Sequence, residues 1–191
     1  MALTPSTMMK LELEAPDFSL PSTAGEVLSK SDFHGKPLLV MFISNHCPFV
    51  KHVAAELAQI GREYTDQGIG VVAINSNDVE KFPDNSPEKM RQEVNDRGYE
   101  FPYLFDDSQV VATAYTAACT PDFFLFDRGH KLVYRGQLDS SRPGNGVPVS
   151  GRDLRQALDA LVRGSKVPTT QIPSMGCNIK WKPGNEPDYA R

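Results

Sequence analysis

Six apolar residues in a row, Leu38-Leu39-Val40-Met41-Phe42-Ile43, stop at Ser44-Asn45-His46 and lead into Cys47-Pro48 and an amphipathic stretch. An unbroken apolar run of this length fits a strand buried on both faces, in a sheet covered by helices. In the stretch that follows, Val53, Leu57, Ile60 and Tyr64 recur at helical spacing, with Glu56, Gln59 and Arg62 between them. That spacing predicts a helix with one inward stripe. Gly68 closes it, and residues 69–74 read as a second buried strand. Strand, helix and strand in this order predict a right-handed βαβ unit with parallel strands.

The rest of the chain extends this pattern. Ser86-Pro87-Glu88 starts a helix, with Ser86 as cap, Met90 and Val94 facing inward and Gly98 at the end. A short helix begins at Asp107-Ser108 and carries Val110, Val111, Ala114 and Tyr115. Residues 123–126 and 131–135 flank Asp127-Arg128-Gly129-His130 and read as a hairpin. Ser150 and Asp153 are expected to form a capping box for a last helix, striped by Leu154, Leu158 and Leu161 and stopped by Gly164. Residues 1–10 read as a loose leader, and residues 11–36 as short extended pieces broken by Pro16, Pro21, Gly25 and Gly35. Residues 167–191, rich in Pro and Gly, read as an extended tail. The expectation is one α/β domain over residues 1–191: a central mixed sheet flanked by helices, with an N-terminal β extension.

Charge and composition exclude several functions. A net charge of −4 and a pI near 5.6 leave no basic footprint, so nucleic acid is not an expected partner. The N-terminal residues lack a basic start followed by an apolar run, and the longest apolar run, residues 37–43, is far too short to span a bilayer. The expected location is cytoplasmic, where a thiol stays reduced unless it is catalytic or sensing. Cysteines number three at irregular spacing, which implies neither a disulfide framework nor a zinc cage.

Among those cysteines, Cys47 stands out by its place between a buried strand and a helix start. Pro48 suits the first helical position. The first turn of a helix offers unpaired N–H groups and the positive end of the dipole, which stabilise a thiolate and lower its pKa. Lys51, one turn on, adds positive charge on the same face. A buried structural cysteine is the commoner fate of a thiol, but it needs no polar cluster before it and no Pro behind it. Thr120-Pro121, just ahead of a strand, is a second signal, because an X-Pro bond there can be cis and face a neighbouring loop.

Other polar residues carry less. His46 and His52 flank Cys47, but their spacing is not a helical i, i+4 pair and no second cluster supplies further ligands, so no metal is expected. His46 is read as tuning the thiol or standing at the pocket mouth. Asn75-Ser76-Asn77-Asp78 follows the second strand at its carboxyl end, where open α/β sheets bind ligands, and equally reads as a plain polar loop. A helix cap accounts for Asp84-Asn85-Ser86-Pro87. Gly144-Asn145-Gly146 lacks the strand-to-helix setting of a phosphate cradle, so no nucleotide or other cofactor is expected.

Taken together, Ala15-Pro16-Asp17-Phe18-Ser19-Leu20, the strand ending in Ser44-Asn45-His46-Cys47-Pro48, Cys119-Thr120-Pro121-Asp122-Phe123-Phe124-Leu125-Phe126-Asp127 and Tyr134-Arg135-Gly136 resemble the thioredoxin superfamily. The likeness runs over residues 11–166 and is nearest to the redoxin branch, which contains the alkyl hydroperoxide reductase and thiol-specific antioxidant (AhpC/TSA, peroxiredoxin) proteins. The whole chain, with its tail Pro173-Ser174-Met175-Gly176-Cys177-Asn178-Ile179-Lys180-Trp181-Lys182, resembles a bacterial thioredoxin-family subgroup. The resemblance implies a thioredoxin fold, Cys47 as redox cysteine, a cis Pro121 beside it, and Ser44 where peroxiredoxins carry a hydroxyl residue.

Two departures matter. Val50 stands where the second cysteine of Cys-x-x-Cys would be, and Val40 stands where peroxiredoxins have Pro. The activating Arg of peroxiredoxins has two candidates, Arg135 and Arg142, each of which also reads as a solvated loop or strand residue. A sulfenic acid formed on Cys47 condenses with a second thiol. Cys177, in a tail long enough to fold back, is preferred over Cys119 for that role, and an external thiol is the third option. The expected function is thiol-dependent oxidoreduction with antioxidant, peroxiredoxin-like reduction of a hydroperoxide. A thioredoxin-type thiol–disulfide oxidoreductase and a non-catalytic binding protein on the same scaffold are the alternatives. Expected partners are a hydroperoxide or disulfide substrate, a thiol reductant of thioredoxin or glutathione type and, as a family expectation, a second copy in a homodimer.

Overall fold

The computed structural model describes residues 3–190. In chain order the elements are β1 (Leu3–Pro5), β2 (Ser19–Pro21), β3 (Val27–Ser29), β4 (Leu38–Phe42), α1 (Pro48–Asp66), β5 (Gly70–Asn75), α2 (Pro87–Arg97), β6 (Tyr103–Phe105), α3 (Val110–Ala114), β7 (Cys119–Thr120), β8 (Asp122–Phe126), β9 (Leu132–Gly136), α4 (Arg152–Val162) and β10 (Met175–Asn178).

The apolar run is the middle strand of a five-stranded mixed sheet of order β6-β5-β4-β8-β9. Val40 lies opposite Val72 in the parallel pairing with β5 and opposite Phe124 in the antiparallel pairing with β8. Leu39, Met41 and Ile43 join one core with Val53, Leu57 and Ile60 of α1 and Leu154 and Leu158 of α4. Leu38, Val40 and Phe42 join the other with Val111 and Ala112 of α3, Tyr115 and Trp181. Successive strand residues face opposite sides. A strand between two cores is therefore apolar at every position, which is why the sequence shows no alternation there.

Four expectations change. Residues 1 and 2 of the expected leader lie outside the described residues, but Leu3–Pro5 is not loose: it forms a strand on the outer edge of β10. The tail is extended, yet it is docked, with β10 paired to both β1 and β7. Tyr103–Phe105 adds a strand at the sheet edge that the sequence reading did not contain. The Ser150–Asp153 capping box does not form. Gly151 is the N-cap of α4 and takes the left-handed conformation at φ 62. The Ser150 backbone N–H donates instead to Asp139 Oδ2 at 2.6 Å, and Asp153 accepts from Gln137 and Arg152.

Arg135 is also not a solvated strand residue. It is fully buried and faces fully buried Asp122 across 3.3 Å. Its guanidinium lies 4.3 Å from the centre of the Phe124 ring and donates to Ser6 Oγ and to the Thr116 carbonyl. Ser6 Oγ in turn donates to Asp122 Oδ1 at 2.8 Å, so the pair anchors the segment that follows β1. Burial pushes the Asp122 carboxyl up, and the charge of Arg135 holds it back. Removing the acid would leave a buried cation without its counter-charge. Asp122→Ala is expected to lower the unfolding free energy by about 3–5 kcal/mol, read from the midpoint of urea denaturation.

Candidate functional site

Cys47 is the N-cap residue of the 19-residue helix α1, with Pro48 at the first helical position. The loop before it, residues 44–46, is held from the opposite side by Asn85, a fully buried side chain. Asn85 Oδ1 accepts from Ser44 Oγ at 3.0 Å, from the Asn45 backbone N–H at 3.2 Å and from Asn75 Nδ2 at 3.1 Å. Asn85 Nδ2 donates to the Phe82 carbonyl at 3.1 Å and to His46 Nδ1 at 2.6 Å. The Asn45 N–H can only donate and the Phe82 carbonyl can only accept, so these two bonds fix which way the amide points. His46 Nδ1 is thereby an acceptor, and its proton sits on Nε2, a buried donor with no acceptor among the described residues. The His46 ring stacks on Phe82 at 5.3 Å.

On the other side of the thiol the peptide bond Thr120–Pro121 is cis. Cys47 Sγ lies 3.1 Å from the Thr120 carbonyl oxygen and 3.1 Å from Cys177 Sγ. Cys177 reaches that place because β10 runs antiparallel to β7, with Cys177 opposite Thr120 and Asn178 opposite Cys119. The strands approach so closely that a Cβ on Gly176 would sit 2.0 Å from the Thr120 oxygen and 2.7 Å from the Thr120 carbonyl carbon. Only glycine fits there. Cys47 is 0% and Cys177 2% exposed.

The electrostatics follow from these contacts. Hydrogen bonding from the Cys177 thiol draws Cys47 down to about 5. The Thr120 side chain and the backbone N–H groups of Val50 and Cys177 act in the same direction, and burial opposes them. The same thiol–thiol hydrogen bond raises Cys177, as do burial and the charge on Cys47. The two sulfurs titrate as a unit, with one proton leaving readily and the second held. The neutral Cys47 thiol can donate to the Thr120 carbonyl, whereas the thiolate can only accept.

The remaining sequence candidates fall in different places. Cys119 Sγ is directed at the Pro121 carbonyl, 3.6 Å away, and burial first, then the Asp122 charge, pushes its thiol up. Ser44 donates its one hydroxyl proton to Asn85 Oδ1, and its oxygen stands 3.1 Å from His46 Nδ1. Arg142 donates to the carbonyls of Asp139 and Ser141 and to Gln137 Oε1, so its guanidinium is committed to its own loop. The Lys51 side chain is exposed, in a cleft with Asn45, Asp84 and Lys89, and only its backbone N–H meets Cys47, at the carbonyl. His52 Nε2 meets Ser141 Oγ at 2.7 Å. The loop Asn75–Asp78 is buried and clasps the tail: Asn77 Oδ1 accepts the Lys180 N–H at 2.7 Å. Asn85 and Gly176 shape the site, and the sequence assigns neither this part: Asn85 reads as part of a helix cap, and Gly176 and Asn178 read as suited to a tight turn, where the structure has strand β10.

The AhpC/TSA family model matches residues 11–135. The thioredoxin-like protein YneN of Bacillus subtilis is 30% identical over 146 residues, 76% of this chain and 77% of that protein. The thiol-disulfide oxidoreductase ResA of Bacillus thuringiensis is 23% identical over 125 residues, 65% of this chain and 68% of that protein. Among solved structures, an uncharacterized conserved protein from Geobacillus kaustophilus is 52% identical with a TM-score of 0.94, covering 96% of this chain and 98% of that one. The thioredoxin domain of a thiol-disulfide oxidoreductase from Bacteroides vulgatus is 18% identical with a TM-score of 0.58, covering 66% and 88%, and shares the thioredoxin-like fold.

Two variants test the geometry. The folded value of Cys47 lies below the value of 9.0 for an ordinary thiol. The stability it adds is therefore lost as pH falls through about 5, and because the same bond raises Cys177, the pair's contribution builds between about 5 and 9 and declines again above about 9. The ultraviolet absorbance of the thiolate is expected to titrate near 5 in the reduced protein, and Cys177→Ala to move that midpoint up toward about 8.5. Gly176→Ala is expected to lift β10 from Thr120 and to slow closure of a Cys47–Cys177 disulfide by roughly ten- to a hundredfold, followed by mass spectrometry of alkylated samples.

Proposed function

We propose a function for this chain from one premise: it belongs to the AhpC/TSA family. It acts as a thiol-dependent oxidoreductase that cycles between a Cys47–Cys177 dithiol and the corresponding disulfide. The separation of 3.1 Å between the two sulfurs carries this reading. Closing to a disulfide needs a further approach of only about 1 Å.

The chemistry runs in two displacements. The Cys47 thiolate attacks one sulfur of a substrate disulfide and expels the other as a thiolate. The Cys177 sulfur then attacks Cys47, loses its proton to solvent, and expels the second substrate thiolate. The pair gives up two electrons and the substrate disulfide becomes two thiols. Two external thiols reduce the pair: the first attacks Cys177 and expels the Cys47 thiolate, and the second attacks the external sulfur of that mixed disulfide, expels Cys177 as the thiol after protonation and leaves as an external disulfide. Cys47, with a value of about 5, is the better leaving group, so the bond opens readily toward the Cys47 thiolate. Val50 occupies the place of the second cysteine in a Cys-x-x-Cys motif, and Cys177 supplies that thiol from the far end of the chain.

Hydroperoxide reduction is the second reading, and the lowered Cys47 value beside a ready second thiol favours it. A peroxide would leave Cys47 as a sulfenic acid, and Cys177 would displace its hydroxyl as water. Against this reading, neither arginine reaches the sulfur: Arg142 is tied to loop carbonyls and Arg135 to Asp122. We therefore rank disulfide exchange first. In a compartment that keeps thiols reduced, the resting form would be the dithiol.

The test is oxidation of the reduced protein by a small disulfide and, separately, by hydrogen peroxide. The expected product has lost two hydrogens and carries a Cys47–Cys177 link in peptide mapping. Cys47→Ser abolishes it and Cys119→Ser leaves it intact. Faster oxidation by the disulfide than by peroxide at equal concentration supports the first reading, and the opposite order promotes the second. A Cys47 that stays unmodified by both would leave a binding protein without turnover.

A further inference from the structure

Resting on Cys47 and Cys177 as an exchanging pair, we infer that the oxidising substrate is a low-molecular-weight disulfide and that extended polypeptides are shut out, because the chain's own tail fills the strand edge beside Cys47. An extended polypeptide reaches a site on a sheet most simply by adding a strand to an open edge. The backbone edge next to Cys47 is β7, and every residue of β7 is already opposite β10. The Ile179 N–H continues that ladder to the Ala118 carbonyl at 3.1 Å. The outer edge of β10 is taken in turn by β1.

The strap is fixed at both ends. Before β10, Ser174 Oγ donates to the Pro121 carbonyl at 2.6 Å, and the Ser6 N–H donates to the Ser174 carbonyl at 2.8 Å. After β10, the Lys180 N–H donates to Asn77 Oδ1, and the Asp78 N–H donates to the Lys180 carbonyl at 2.8 Å. Gln109, itself 1% exposed, donates to the Lys180 carbonyl and accepts from the Lys182 N–H at 2.8 Å. Ile179 and Trp181 are buried in the core beyond it. Peeling the strap from either end exchanges these buried hydrogen bonds for bonds to water, at a net cost for each, and uncovers Ile179 and Trp181.

The weak cover lies elsewhere. β1 is three residues long, and Leu3, opposite Cys177, is 61% exposed. Opening so short an edge leaves β10 in place, and a strand added there would lie beside Cys177, one strand removed from β7, whereas a small disulfide needs no strand edge to meet the sulfurs. A small disulfide R–S–S–R then accepts the Cys47 thiolate at one sulfur and releases R–S⁻, which takes a proton from water. Cys177 displaces the second R–S⁻ and closes the pair, with no residue of β10 leaving its register.

The experiment follows closure of the Cys47–Cys177 disulfide in the reduced full chain, with hydroxyethyl disulfide and insulin as alternative oxidants at equal disulfide concentration. Insulin is expected to react slower by about a hundredfold, the scale of two or three forfeited backbone hydrogen bonds. Comparable rates overturn the inference. Gln109→Ala, which loosens the strap away from the sulfurs, is expected to speed the insulin reaction by about tenfold or more and to leave the hydroxyethyl disulfide rate within about twofold. A variant in which both rates move together overturns it. Closure with neither oxidant in the wild-type chain removes the exchange reading itself, and the inference with it.

Discussion

The short ladder between β10 and β7 sets the geometry of the candidate site. Through it Cys177 comes to Cys47, and through it Gly176 comes against the Thr120 carbonyl that also touches the Cys47 sulfur. The ladder is only two residues long on the β7 side, too short to hold by itself in water. It is held by what flanks it: the clasp of Asn77 and Gln109 on one side, and the bonds from Ser174 and Ser6 on the other. The buried Arg135–Asp122 pair belongs to the same support, since Ser6 bonds to both members.

Asn85 plays the matching part for the helix side. Its single amide satisfies the hydroxyl, backbone and ring groups of Ser44, Asn45 and His46. A buried polar loop is costly unless its groups are paired, and here one side chain pairs most of them. The loop therefore leads into α1 along a fixed path, and Cys47 has little freedom as the helix N-cap. The thiolate then depends on donors from two directions: the first turn of α1 and the thiol on β10. Both favour the ionised, reduced pair, so they also weaken the disulfide relative to the dithiol.

Much of this was legible in the sequence. The strand β4, the helix beginning at Pro48 and the hairpin of β8 and β9 are carried by local pattern, because each buries a long enough face for periodicity to show. Ser86 caps its helix through the Lys89 N–H, as its type and position suggest. What escaped lies in pieces too short for any period. β1, β6 and β10 have three or four residues each, and two of them carry Pro or Gly. Their conformation comes from partners far along the chain, not from their own propensities. The Ser150–Asp153 box failed for a related reason. Asp139 competes for the Ser150 and Gly151 N–H groups, and no local rule contains Asp139. Asn85 was invisible because its role is a sum of contacts spread over residues 44 to 82.

The proposed pair joins positions 130 residues apart. A motif of adjacent cysteines can close in a peptide or a nascent fragment, but this pair exists only once residues 47 to 177 have been made and folded. Its oxidation also ties off a loop that spans most of the molecule. In the chain-entropy account such a loop restricts the unfolded ensemble by about 5 kcal/mol, more than a short motif can. In the proposed cycle, electron transfer and lifetime would share one bond: the oxidised molecule would resist unfolding and proteolysis more than the reduced one, and the redox poise of its surroundings would be written into how long each copy persists.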